Sequence, residues 1–226
     1  MDTTVIGSSE FIKVLSDTSV ERFIPLTAPA SLDLYNGYHH FLGDLSATSE
    51  SIIISVDYRL APENKLPIAY EDCYASLVWL RQQKPTEPWL QNADLSRVFL
   101  LGDSAGGNIA HHVAIRAIRD EECLVRIIGI IPIHPYFGSE KRTQLEMRHG
   151  STDDVKSNDM FWRLSISEGL NQDYEGCNLE QMEVSESEWN WFPNVLVFVA
   201  GLDFLKERGE AYAEILNKKG VKEEKL

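Results

Sequence analysis

One stretch limits what this chain can fold into more than any other: Val98-Phe99-Leu100-Leu101-Gly102-Asp103-Ser104-Ala105-Gly106-Gly107-Asn108-Ile109-Ala110. A short apolar run stops at a glycine, a serine follows two residues later, and small residues lead into a helical pattern. Ile109, Ala110, Val113, Ala114, Ala117 and Ile118 recur at alternating spacings of one and three, which draws one apolar stripe along a helix. The order is therefore strand, sharp turn, helix, with Ser104 at the apex.

Such a turn suits a nucleophile. Gly102 and Gly106 bracket Ser104 in a G-x-S-x-G pattern, expected because side chains there would collide in so tight a turn. The turn pushes the hydroxyl off the end of the sheet, where a carbonyl carbon can reach it. The first amides of the following helix, that of Ala105 above all, lack intrahelical acceptors and can donate to a developing oxyanion. A glycine-rich junction of a nucleotide-binding fold is the competing reading. Neither G-x-G-x-x-G nor G-K-[ST] accompanies it, which favours the nucleophile.

Residues 102–112, Gly-Asp-Ser-Ala-Gly-Gly-Asn-Ile-Ala-His-His, resemble the corresponding turn of plant carboxylesterases, in the hormone-sensitive-lipase-like branch of the α/β-hydrolases. Ser55-Val56-Asp57-Tyr58-Arg59-Leu60-Ala61-Pro62-Glu63 upstream and Ala200-Gly201-Leu202-Asp203-Phe204-Leu205 downstream resemble further blocks of that family, in the same order. The resemblance implies an α/β-hydrolase fold, a mostly parallel sheet with helices on both faces. It also implies a serine carboxylesterase acting on a small-molecule ester or plant metabolite, without a cofactor. The same family includes a plant hormone receptor that uses its pocket for recognition alone, and relatives that dehydrate or cyclise metabolites. Both remain alternatives.

A serine nucleophile needs a base to take its proton and an acid to hold that base. Asp203 is the acid candidate, because it closely follows the apolar run 195–200 and α/β-hydrolases use the order Ser, Asp or Glu, His. Its other possible role is the N-cap of a helix expected over 205–216. The base is harder to find. His39, His40, His111, His112, His134 and His149 all precede Asp203, and no histidine follows it. His111 and His112 lie two turns along the expected helix, too far along to reach Ser104. His134 can approach the site from the end of the next strand, although a core role is expected. The family's base follows one more strand, and its glycine loop, which completes the oxyanion hole, precedes the Asp57-Tyr58-Arg59 block. Neither is found here. The fold is therefore expected to be incomplete, with several N-terminal strands and the last strand missing, and ester hydrolysis by this chain to be impaired.

The bulk properties set the remaining bounds. At 226 residues the chain suits one domain with a substantial core. A formal net charge of −14 argues against nucleic acid, and no basic amphipathic segment points to a membrane surface. No signal-peptide pattern opens the sequence, and Ile127–Ile133 is far short of a membrane span. Cys73, Cys123 and Cys177 lack C-x-x-C spacing, so free thiols, no metal site and a cytoplasmic location are expected.

Along the chain, residues 1–30 read as an N-terminal arm, 35–45 as a short helix with His39 and His40 at its surface, and 52–56 as a buried parallel strand. Arg59 is expected to fix its loop through a buried pairing. A helix follows with Tyr70, Cys73, Leu77 and Leu80 facing inward, then a surface loop over 82–94. Strands are expected at 98–101, 126–131 and 195–200. Residues 138–190 read as a cap-like or irregular insertion, helical at 160–166. Alternating strands and helices are the mark of an α/β sheet.

Overall fold

The computed structural model describes residues 5–8, 12–15, 20–22, 31–148 and 152–226, which leaves His149 and the prolines at 25 and 29 outside it. By its contacts the chain divides into two units, Met1–Val56 and Asp57–Leu226.

In the first unit, the segment read as an arm contains three short strands: β1 (Val5–Ser8), β2 (Ile12–Leu15) and β3 (Val20–Arg22). They pair antiparallel in that order. Helix α1 (Ser31–Ser49) outruns the expected 35–45 at both ends. His39 and His40 are exposed on it, as expected. Residues 52–56 correct the reading: they form no strand, and Ile52 and Ile54 are 46% and 37% exposed. Apolar β-branched residues favour a strand only where a neighbour completes the ladder, and no described strand pairs with this segment.

The second unit carries α2 (Ile68–Gln83), β4 (Val98–Asp103), α3 (Ala105–Arg119), β5 (Ile127–Ile133), α4 (Gln144–Arg148) and α5 (Asp153–Ser165). After them come α6 (Glu186–Trp191), β6 (Asn194–Val197), α7 (Lys206–Lys218) and β7 (Glu223–Lys225). The four strands form a parallel sheet in the order β4-β5-β6-β7, joined through helices as parallel neighbours require. This is the α/β architecture expected. One expectation within it is corrected: the last strand is present, since β7 pairs Glu223 with Val195 and Lys225 with Val197. The insertion is also more regular than expected, holding α4, α5, a 3-10 turn at Leu179–Gln181 and α6.

Side chains alternate across a strand, so each strand has an inner and an outer set. Ile130, Val195 and Val197 face inward and pack with Ala110, Ala114 and Ile115 of α3 and with Tyr212, Ala213 and Leu216 of α7. On the same side, Tyr70, Tyr74 and Leu77 of α2 pack with Ile109 and Val113 of α3. Phe99 and Leu101 point the other way and are 55% and 36% exposed. The sheet is flanked by helices, with α3 and α7 packed on the strands.

Candidate functional site

Strand β4 runs into Ser104, whose φ of 53° with ψ of −113° is a positive-φ backbone conformation rare for a residue with a side chain. Helix α3 starts at the next residue, so the Ala105 amide is the first of its free N-terminal donors. A Cβ at Gly102 would stand 2.1 Å from the Gly106 carbonyl group, so the turn cannot close over any side chain there. Gly106 corrects the sequence reading, because a Cβ there would meet nothing. The tighter position after the serine is Gly107, where a Cβ would lie 3.1 Å from Pro132 and 3.2 Å from Pro135.

The backbone of Ser104 is held on both sides. Its N–H donates to the Ile133 carbonyl (2.8 Å), and its carbonyl accepts from the amides of Tyr136 (3.0 Å) and Gly107 (3.0 Å). The first turn of α3 is tied further down. Tyr70 donates its hydroxyl to Asn108 Oδ1 (2.7 Å), and Asn108 Nδ2 donates to the Gly176 carbonyl (2.9 Å), all buried. Asn108 lies within the turn motif, yet nothing in the sequence pairs it with Tyr70, whose place in an apolar stripe reads as core.

Asp203 lies beyond β6, at the same carboxyl edge of the sheet as Ser104 beyond β4 and His134 beyond β5. Its N–H donates to the Ala200 carbonyl (3.3 Å), and its Oδ1 accepts from the Leu205 amide (2.9 Å). The residue at the N-cap of α7 is Leu205, so Asp203 stiffens the preceding turn instead of capping the helix. The open ends of parallel strands are where α/β sheets offer space for a ligand.

Two expected non-participants are core residues. His111 is fully buried among Phe137, Trp189, Phe192 and Tyr212, with Nδ1 3.2 Å from the Tyr212 hydroxyl. His112 stacks on Tyr70 at 4.3 Å. Burial pushes His111 well below the usual histidine range and His112 down to about 4. His134 approaches the edge, but its Nδ1 accepts a hydrogen bond from the Ala200 amide (3.1 Å). A neutral imidazole has one acceptor nitrogen, and here it is engaged. The Arg59 expectation also needs correction. Arg59 grips Asp72 through Nε (2.9 Å) and Nη2 (2.6 Å) and holds that carboxyl down at about 2, but the Arg59 side chain is 60% exposed, not buried.

Among the described residues no group of three or more His, Cys, Asp or Glu could hold a metal ion, and no helix is long and apolar enough to cross a membrane.

A parallel sheet whose strand–helix turn carries a positive-φ serine defines a class. The chain belongs to the alpha/beta hydrolase fold family, which matches residues 30–225. Among its relatives it is similar to the probable carboxylesterase 6 of Arabidopsis thaliana, 40% identical over 174 residues, which are 75% of this chain and 51% of that protein. It is also similar to the gibberellin receptor GID1B of the same plant, 36% identical over 225 residues, 97% of this chain and 59% of the receptor. The 3-O-acetylpapaveroxine carboxylesterase CXE2 of Papaver somniferum is 34% identical over 197 residues, 82% of this chain and 63% of that enzyme. Of the solved structures, a thermostable carboxylesterase from a metagenomic library superposes with a TM-score of 0.71 at 28% identity, over 84% of this chain and 62% of that one. An esterase of Pyrobaculum calidifontis gives 0.66 at 29% identity, over 80% and 58%. The chain spans about half the length of the curated relatives it matches.

Proposed function

We propose that the chain carries the nucleophile and the acid of a serine carboxylesterase site, acting on a small-molecule carboxylic ester without metal or cofactor. Ser104 is the nucleophile, the Ala105 amide an oxyanion donor, and Asp203 the acid that orients a histidine base. The observation that carries this is Ser104 itself, held at positive φ between β4 and α3 by hydrogen bonds to its own N–H and carbonyl. Strain of this kind persists only where the surroundings enforce it, and it lifts the hydroxyl clear of the sheet. The Ser104 oxygen would add to the ester carbonyl, and the negative charge on the tetrahedral oxygen would fall near the N-terminus of α3. Loss of the alcohol would leave an acyl-serine for water to hydrolyse. The free thiols of Cys73, Cys123 and Cys177 support a reducing, cytoplasmic setting.

Among the described histidines of the second unit none is free to act as the base: His111 and His112 are sealed in the core, and the acceptor nitrogen of His134 is engaged. Loss of a triad histidine costs on the order of a millionfold in turnover. The purified 226-residue chain is therefore expected to hydrolyse p-nitrophenyl acetate barely above the uncatalysed rate, and Ser104→Ala to change little. Appreciable turnover that Ser104→Ala abolishes would overturn the impairment and mean that a histidine of this chain serves as base.

A second reading, recognition without chemistry, is supported by the likeness to a gibberellin receptor over 97% of the chain. Saturable binding of a small carboxylic acid by both the chain and Ser104→Ala, with no turnover by either, would select it.

A further inference from the structure

We infer that His134 is a positioning residue, a brace that ties the Ser104 turn to the loop bearing Asp203. The inference rests on reading Ser104 and Asp203 as nucleophile and acid.

Three described non-glycine residues have positive φ: Glu50, Ser104 and His134. Two of these, Ser104 (53°) and His134 (45°), end neighbouring parallel strands. A sparsely populated positive-φ conformation costs a residue with a side chain on the order of 1–3 kcal/mol, so contacts must enforce each. The contacts are reciprocal. Residues 133–136 hold both backbone groups of Ser104: the Ile133 carbonyl accepts from its N–H (2.8 Å), and the Tyr136 amide donates to its carbonyl (3.0 Å). Between them, His134 faces the next strand with two groups of its own. Its N–H donates to the Phe198 carbonyl (2.8 Å), and its Nδ1 accepts from the Ala200 amide (3.1 Å), so that the pair straddles Val199. The Ala200 carbonyl then accepts from the Asp203 amide (3.3 Å). A short run of hydrogen bonds thus leads from Ser104 through His134 to Asp203.

Pro135 completes the joint. It has no N–H to satisfy, is fully buried, and would lie 3.2 Å from a Cβ at Gly107 of α3 and 3.9 Å from one at Gly209 of α7. The side-chain link depends on protonation, because Nδ1 can accept only while the ring proton is on Nε2.

Asparagine, glycine and phenylalanine separate the possible roles. Asn can present an acceptor near the place of Nδ1 and tolerates positive φ; Gly relieves the strain but accepts nothing; Phe fills the space but accepts nothing. The test is hydrogen exchange of the Ala200 amide in the 226-residue chain and its His134→Asn, His134→Gly and His134→Phe variants, with α3 amides as the internal reference for global stability. The imidazole nitrogen spectrum of the unsubstituted chain reports the tautomer. A brace predicts an Nε2–H ring. It also predicts that exchange at Ala200, relative to α3, is about tenfold faster in Phe and Gly, the factor that loss of one hydrogen bond implies, and close to the parent rate in Asn. An Nδ1–H ring, unchanged exchange in Phe and Gly, or rescue by Phe in place of Asn would overturn it. The amide readout needs no turnover. Failure of the ester-hydrolase reading, seen as saturable binding of a small carboxylic acid that Ser104→Ala leaves intact, is therefore distinguishable from failure of the brace.

Discussion

Single residues set both the geometry of the serine turn and the acid limit of the fold. The two glycines of G-x-S-x-G are not equivalent. Gly102→Ala would drive a methyl into the Gly106 backbone at 2.1 Å, whereas a Cβ on Gly106 meets open space. Gly102→Ala is expected to lower the urea midpoint by the equivalent of about 3 kcal/mol or more, in the range of severe backbone conflicts. Gly106→Ala should leave the midpoint unchanged or raise it by up to about 1 kcal/mol, since alanine is the better helix former. Equal effects would show that the turn relaxes around position 102. His112 makes stability depend on pH. Burial is the main cause of its depression from 6.5 to about 4, partly opposed by a hydrogen bond to the Gly176 backbone. Below pH 6.5 the unfolded chain therefore takes up this proton while the folded one refuses it. Stability falls as the pH drops from about 6.5 to about 4, and nothing further is lost from this group below that. Between pH 7 and pH 5 the loss from His112 alone is about 2 kcal/mol. His112→Phe keeps a ring against Tyr70 and cannot be protonated, so its urea midpoints at the two pH values should lie closer together than those of the parent chain.

Among the elements, α4 owes its place to α7. Arg208 on α7 forks onto Glu146 of α4 (2.8 and 2.7 Å), with side-chain exposures of 11% and 1%, while Glu207 accepts from the Leu145 amide (2.9 Å). Removing one partner leaves the other charge buried. Glu146→Gln and Arg208→Met are therefore each expected to cost about 3–5 kcal/mol, and the double variant clearly less than their sum, as read from a denaturation cycle. Additive losses would mean that water reaches the pair. How far such elements were legible depended on what specifies each. The β4–α3 turn was plain because its apolar stripe and small residues are local. Helix α6 also carried a local signal, the reciprocal Ser185 and Glu188 capping box, but the acidic composition of 171–188 obscured it. Residues 52–56 misled because composition cannot supply a partner strand. Strand β7 was missed for the opposite reason: Glu223, Glu224 and Lys225 belong to a charged sheet edge, where polar side chains are the rule. At the proposed site, the turn at Ser104 and the place of Asp203 beyond β6 were legible from motif and order. The engagement of His134 was not, since it depends on a φ of 45° and a 3.1 Å contact between residues 66 apart.

At the scale of the whole sheet, β4 is an edge strand among the described residues. Among the described strands β4 has one neighbour, β5, and its outward residues Phe99 and Leu101 are 55% and 36% exposed. An apolar edge strand is a template for another chain. The opposing term is charge. At −14 two copies repel each other, most strongly at low ionic strength, where the screening length is about 30 Å at 0.01 M. The balance should therefore shift with salt. The purified chain is expected to sediment chiefly as a monomer at low ionic strength and to associate, with increased binding of an apolar dye, once salt near 0.5 M screens the repulsion. Ion-paired association would weaken under the same change, so the sign of the salt effect separates the two. Leu101→Lys is the clean probe, because Phe99 also shields Gly129, where a Cβ would lie 2.6 Å from the Phe99 ring. A lysine on an exposed edge should restore the monomer at high salt while changing stability by less than about 0.5 kcal/mol. A chain that stays monomeric and dye-free at high salt would show that this edge does not bind a second copy.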